Sequence, residues 1–371
     1  MYKKILVIKF MHIGDVLLIT PLLKNLKHHF PHAKIDVALN EGTQEMISNH
    51  PAVDHIHVYQ RSSIKRLPFI KRFIHELYFI RRIRREKYDL VINLTRGDRG
   101  IVTSIFSGAD TIISFPSDKN VFFNHFIGHP ITSSIQHKHW VDINLKAIKI
   151  LGKEIHEKKV EIFWPTSIEE KIKNLLHKYQ IKQKEFIHFH PVSRWLFKCI
   201  DDNTSAAIID FCQKELGLPV LITAAPVDEE LDKIKKILIL CKTTPINLSG
   251  SLTLKETAAL NRQSLAYIGV DTSIMHISAA NDIPVLAFFG PSLPYAWGPW
   301  DNDSMESGYH CLRGNQQMGK HCILQKKWPC VPCDRKGCNN SGISDCLIQM
   351  DFDEIKKHIV KVVKEGRENG R

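Results

Sequence analysis

Along the first part of the chain, short apolar runs rich in Ile, Leu and Val alternate with longer stretches whose apolar residues recur three and four apart. The runs at 4–10, 34–39, 55–59, 89–94 and 111–114 read as strands, and the stretches at 16–30 and 69–86 as helices. Strands that are apolar throughout, rather than at every second residue, are covered on both faces, the pattern of a parallel sheet between helices. The alternation then restarts. Strands are expected at 186–190, 219–223, 246–249, 266–270 and 284–289, and helices at 168–179, 203–215, 228–241, 254–261 and 274–281. A last amphipathic helix covers 353–363. The join falls at Trp164-Pro165-Thr166-Ser167, where proline interrupts the pattern and a hydroxyl can cap the next helix. A chain of 371 residues also exceeds the roughly 250–300 that one core supports. The expected fold class is therefore α/β, with two doubly wound Rossmann-like domains at 1–165 and 166–350. The helix in 351–371 is expected to return to the first domain. Open α/β sheets bind ligands beyond the carboxyl ends of their strands, so the ligand is expected in a central cleft that the two domains face.

Charge narrows the partner. The 51 Lys and Arg outnumber the 39 Asp and Glu, a formal net charge of +12, which suits an anionic partner: nucleic acid, a phosphorylated substrate or an acidic membrane. Residues 61–87 hold ten of these cations: Arg61, Lys65, Arg66, Lys71, Arg72, Arg81, Arg82, Arg84, Arg85 and Lys87. Phe69, Ile70, Phe73, Ile74, Leu77, Ile80 and Ile83 recur among them at helical spacing. Such a helix either lies on an anionic membrane or packs its apolar stripe on the sheet and leaves a solvated basic face. A positive rim would also attract a phosphorylated acceptor, and Arg61, Lys65 and Arg66 are expected to face acceptor or membrane. Nucleic acid is not expected, because no RNA-binding motif with exposed aromatics accompanies the charge. No apolar run is long enough to span a bilayer, and the opening run leads into Gly14-Asp15 rather than a cleavage site, so a cytoplasmic protein is expected.

Three segments carry candidate chemistry. The first strand runs into Met11-His12-Ile13-Gly14-Asp15-Val16 and a helix. With one glycine the dinucleotide fingerprint is absent, which argues against an NAD enzyme. Asp15 reads either as a helix cap or as a general base at the strand's carboxyl end, and His12 as a loop residue or a second group facing the acceptor. The second segment is His190-Pro-Val-Ser193-Arg194-Trp195-Leu-Phe-Lys198-Cys199, a loop offering a hydroxyl, a guanidinium and an ammonium after a strand. The third is Asp271-Thr272-Ser273-Ile-Met-His276, where a buried strand becomes a helix. A helix start presents unpaired N–H groups and a partial positive charge, which suits phosphate. Together the two segments point to a diphosphate.

These motifs resemble glycosyltransferase family nine, the heptosyltransferases of the lipopolysaccharide inner core, over nearly the whole chain. Gly14-Asp15-Val16, the Arg-Trp-x-x-Lys loop, Asp271-Thr272-Ser273-x-x-His276 and Gly290-Pro291-Ser292 carry the likeness. Arg194–Cys199 and Trp297-Gly-Pro-Trp300 look most like the heptosyltransferase III branch, although Ile200 stands where that branch usually has Trp. The resemblance implies a GT-B fold, an ADP-heptose donor, a lipopolysaccharide inner-core acceptor and inversion without a metal. It also implies a peripheral location on the inner face of the inner membrane. Asp15 would be the base. Ser193, Arg194, Lys198, Asp271, Thr272, Ser273 and His276 would bind the donor.

Five of the nine cysteines crowd the tail. The spacing of Cys330, Cys333, Cys338 and Cys346 suits a structural zinc site, disulfides or reduced packing thiols alike, and a similar tail occurs in the family. No cofactor is assigned to them.

Overall fold

The computed structural model describes residues 2–117, 120–132 and 138–369. The chain divides into two compact units between Phe163 and Trp164, with Lys138 and His139 going to the second.

Among the described residues, the first unit holds one sheet of six strands: β1 (Lys4–Lys9), β2 (Lys34–Asn40), β3 (His55–Tyr59), β4 (Leu90–Asn93), β5 (Thr111–Ser114) and β6 (His129–Pro130). Their spatial order is β3-β2-β1-β4-β5-β6, and every pairing is parallel. Building outward from β1 in both directions places successive connections on opposite faces. The segments leaving β1 and β4 therefore diverge and open a crevice at their carboxyl ends.

The expected helix at 16–30 is two helices, Ile13–Leu17 and Thr20–His29. Pro21 sits in the first turn of the second, where its missing N–H costs nothing, and the Thr20 hydroxyl donates to the Leu17 carbonyl at 2.9 Å. Two helices of ten or more residues escaped the pattern. Asp98–Ser107 is rich in weak helix formers, and its Gly100 crosses so close to β4 that a Cβ would lie 2.3 Å from the Asn93 side chain. Trp140–Ile150 sets Asp142, Lys146 and Lys149 together opposite a wide apolar face, a helical pattern left out of the expected elements.

The second unit repeats the plan with β7 (Ile187–His190), β8 (Val220–Ile222), β9 (Ile246–Asn247), β10 (Ala266–Val270), β11 (Val285–Phe288), β12 (Gln316–Met318) and β13 (His321–Leu324). The order is β12-β13-β11-β10-β7-β8-β9, parallel except for the edge strand β12. Here the crevice lies between β7 and β10.

The last helix, Phe352–Asn369, does not return to the first domain. Ile355, Ile359, Val362 and Val363 are buried in the second unit's core, beside β10, β11 and β13. Gly366 continues that stripe, and a Cβ there would meet the Leu265 carbonyl at 2.3 Å. The helix closes a face that this sheet would otherwise leave bare.

Candidate functional site

In the first unit, β1 ends at Lys9 and the chain turns through His12 into the short helix Ile13–Leu17. Asp15 is the third residue of that helix rather than its cap. Its Oδ2 accepts the His12 backbone N–H at 3.2 Å, while Oδ1 is buried with no hydrogen-bond partner among the described residues. The two oxygens thus divide the readings: one serves the helix start, and the other is idle. A buried, idle carboxylate oxygen is what a proton acceptor requires before its substrate arrives.

Lys9 stands 3.9 Å from that oxygen, itself buried. Its ammonium donates to the Leu94 carbonyl at 3.3 Å and Asn144 Oδ1 at 3.5 Å, and lies 5.0 Å from the centre of the Trp140 ring. Burial pulls its pKa down to about 8; Asp15 opposes the shift and Arg96 adds to it. Arg96 sits over the rings of Phe115 and Trp140, at 5.6 and 5.4 Å. The loops carrying these groups are tied together, since Thr95 Oγ1 accepts the Phe10 N–H at 2.7 Å and Asn93 Oδ1 accepts the Thr95 N–H at 2.9 Å. The sequence reading missed Lys9, Arg96, Trp140 and Asn144. A lysine directly after the four apolar residues Ile5–Ile8 was the available signal. His12 is exposed, as are Arg61 and Lys65 on the helix Arg61–Lys65 and Arg66 just after it.

In the second unit, the segments leaving β7 and β10 meet. Lys198 Nζ lies 2.6 Å from Asp271 Oδ2, across 73 residues of sequence. Burial alone would raise the Asp271 carboxyl; the Lys198 ammonium, with Ser292 and His276, holds it below its ordinary value instead. Thr272 caps the helix Ser273–Ala280 without a side-chain bond to it, so the helix start keeps open donors. His276 is buried, and burial pulls its pKa down to about 4, which leaves a neutral ring at pH 7 whose Nδ1 has no hydrogen-bond partner among the described residues. Ser193 is buried and its Oγ accepts the Trp195 N–H at 3.2 Å, shaping the loop, whereas Arg194 is exposed, 5.3 Å from the Trp195 ring. Thr223 Oγ1 bonds both His188 Nε2 (2.8 Å) and His190 Nδ1 (2.9 Å) and so steadies the carboxyl end of β7. The Ser292 loop is held by Gln325, whose Nε2 donates to the Gly290 and Ser292 carbonyls at 2.9 and 3.0 Å. This cluster offers a cation, open helix N–H groups and an unpaired ring nitrogen at the crevice of a doubly wound sheet, the surroundings that suit a nucleotide diphosphate.

All nine cysteines are free thiols. Burial, then the neighbouring Cys338, Cys333 and Cys330, pushes the Cys346 thiol up to about 12. Among the described residues, no group of three or more His, Cys, Asp or Glu could hold a metal ion. No helix among them is long and apolar enough to cross a membrane.

Comparison with known proteins decides the family. The family model described as glycosyltransferase family 9 (heptosyltransferase) matches residues 77–327, more than half of the 371. The chain belongs to glycosyltransferase family 9. It is thus a glycosyltransferase, and its relatives are consistent with that. It is 28% identical to lipopolysaccharide heptosyltransferase 3 of Escherichia coli over 298 residues, 79% of this chain and 85% of the relative. It is 28% identical over 309 residues to the protein of the same name from strain K12, covering 79% and 84%. Among solved structures, a family 9 glycosyltransferase from Veillonella parvula superposes with a TM-score of 0.79 at 19% identity, covering 98% of both chains. E. coli heptosyltransferase WaaC with ADP gives 0.72 at 16% identity, covering 97% of this chain and 99% of that one. These likenesses show that family 9 shares this pair of doubly wound sheets, the GT-B type of fold.

Proposed function

We propose that the protein transfers heptose from ADP-heptose to the inner core of lipopolysaccharide with inversion, as a heptosyltransferase III that adds a branch heptose to the second core heptose. The observation that carries this reading is the match to relatives named heptosyltransferase 3 across about four-fifths of both chains. In the reaction, the acceptor oxygen bonds the anomeric carbon, the bond from that carbon to the diphosphate breaks, and ADP leaves. Asp15 Oδ1 takes the acceptor proton as the bond forms, because a carboxylate is too weak a base to remove it beforehand. Lys9 keeps a positive charge beside Asp15, with Arg96 close to Lys9. Lys198, Thr272, Ser273 and the helix start receive the charge growing on the diphosphate, with Ser193 and Arg194 on the loop beside them. Asp271 fixes Lys198, and His276 donates or accepts as a neutral ring. Each step uses protein groups alone.

The acceptor is anchored in a bilayer, so the enzyme works as a peripheral protein on the inner face of the inner membrane. Purified protein, ADP-heptose and defined core acceptors test the reaction. The expected product carries one more heptose on acceptors that already hold two. Transfer only to acceptors lacking the first or second heptose would assign heptosyltransferase I or II instead, and no transfer from ADP-heptose would overturn the reading.

A further inference from the structure

The basic stretch behaves differently along its length. On the helix Phe69–Arg85 only Phe79 and Ile83 are buried. Packing on the sheet therefore holds for its second half alone. Phe69, Ile70, Phe73, Ile74, Leu77 and Tyr78 are 49–77% exposed, and they follow one another at the spacing of a single helix face. An apolar face of this size left to water marks a docking surface.

Its position follows from three contacts. The Phe79 ring packs 6.0 Å from Phe10 and 5.2 Å from Tyr59, which lie at the carboxyl ends of β1 and β3. The Tyr59 hydroxyl donates to Glu76, and Glu76 pairs with Arg99 at 3.5 Å. Further along, Arg84 lies against Gly108, at the far end of the helix Asp98–Ser107. The two helices thus run in the same direction, and the turns before Glu76 project past the carboxyl edge of the sheet. At about 1.5 Å per residue, Phe69 reaches roughly 10 Å beyond Glu76. Next to the start of Asp98–Ser107, the turn Val121–Phe126 exposes Val121, Phe122 and Phe126, and Ser117 Oγ donates to Asp98 at 2.9 Å to hold that segment at the same edge. Asp15 follows β1 at this edge as well.

We propose that the protruding turns of Phe69–Arg85, with the Val121–Phe126 turn beside them, are the surface that docks on an anionic phospholipid membrane and presents the bilayer-anchored acceptor to the Asp15 edge. The charge selects this occupant. Arg61, Lys65, Arg66, Lys71, Arg72 and Arg81 surround the apolar face, and Glu76, the single acidic residue from 61 to 85, is engaged by Tyr59 and Arg99. A second copy of the chain would bring the same positive rim against itself, whereas anionic headgroups neutralise the rim while the apolar side chains enter the acyl boundary.

The inference rests on the proposed lipid-anchored acceptor, and the experiment keeps the two separable. The full chain is sedimented with vesicles of phosphatidylglycerol and phosphatidylethanolamine, or of phosphatidylcholine alone. Wild type should partition onto the anionic vesicles roughly tenfold more strongly or better. A Phe69→Ser, Ile70→Ser, Phe73→Ser, Ile74→Ser variant should lose that binding with its circular dichroism and melting temperature intact, since none of these side chains is buried. Lys71→Gln with Arg72→Gln should weaken binding to anionic vesicles alone. The apolar variant should also keep wild-type transfer to a lipid-free core oligosaccharide but lose about tenfold or more on vesicle-embedded acceptor. Equal binding to both vesicle types, or variants that bind like wild type, would overturn the proposal. So would a light-scattering mass that doubles in wild type and not in the apolar variant, without vesicle binding, since a second copy would then be the occupant. Failure of transfer to both acceptor forms would instead overturn the proposed reaction while the vesicle result stood.

Discussion

Replacing Asp15 by Asn removes a charge and a proton acceptor with almost no change of shape. The amide oxygen can still take the His12 N–H that Oδ2 accepts at 3.2 Å, so the helix start survives. The amide nitrogen then stands where Oδ1 stood, 3.9 Å from Lys9 Nζ. At an effective dielectric of about 20, a charge pair at that distance attracts by about 4 kcal/mol, but Lys9 need not forfeit all of it. Its pKa of about 8 lets the buried amine shed its proton when Asp15 no longer supports the charge. At pH 7 that release costs about 1–2 kcal/mol, which bounds the loss of stability from this pair. Turnover should fall far more, roughly 10²–10⁴-fold, because the amide cannot accept the acceptor's proton. ADP affinity should stay within about twofold, since the groups proposed to hold the diphosphate belong to the other unit. Steady-state transfer, calorimetric ADP titration and thermal melts on one preparation give the three readings. Near-wild-type turnover with a lowered melting temperature would refute the reasoning and leave Asp15 as a helix-start residue only.

Lys198→Ala and Asp271→Ala should each weaken ADP or ADP-heptose binding by about 1–3 kcal/mol, measured by calorimetry, and unchanged affinity in both would refute the donor assignment. Lys198→Ala should also reverse a pH dependence. In wild type, the depressed Asp271 carboxyl stabilises the fold above its unfolded value of 3.8, and that stability is lost as pH falls through the lower folded value. In the variant, burial raises the carboxyl, so the fold should lose stability as pH rises through it; denaturant melts from pH 3 to 7 that are parallel for the two proteins would contradict this. Lys9 titrates the other way. The unfolded chain binds this proton up to 10.5 and the folded chain only to about 8, so stability should rise across that window by about 3 kcal/mol, and Lys9→Met should lack the rise. Equal slopes in both proteins between pH 8 and 10.5 would show that Lys9 does not carry it.

Local chemistry made much of this protein legible in its sequence. The inner strands were readable because both faces of a parallel sheet are dry, so β1, β4 and β10 announce themselves as largely apolar runs. Gly14-Asp15 and Asp271-Thr272-Ser273 were readable because a strand turning into a helix needs particular residues within a few positions. What the sequence left open are meetings set by strand order. Lys198 reaches Asp271 because β10 lies beside β7, and Lys9 reaches Asn144 across 135 residues because the helix Trp140–Ile150 crosses near the carboxyl end of β1. The amphipathic helices show the same limit. Spacing correctly marked an apolar stripe on Phe69–Arg85 and on Phe352–Asn369, yet the first leaves most of its stripe to solvent and the second buries its stripe in the second unit. Periodicity records that a face is apolar. Which neighbour covers it depends on where the sheets leave bare surface, and only the tertiary structure decides that.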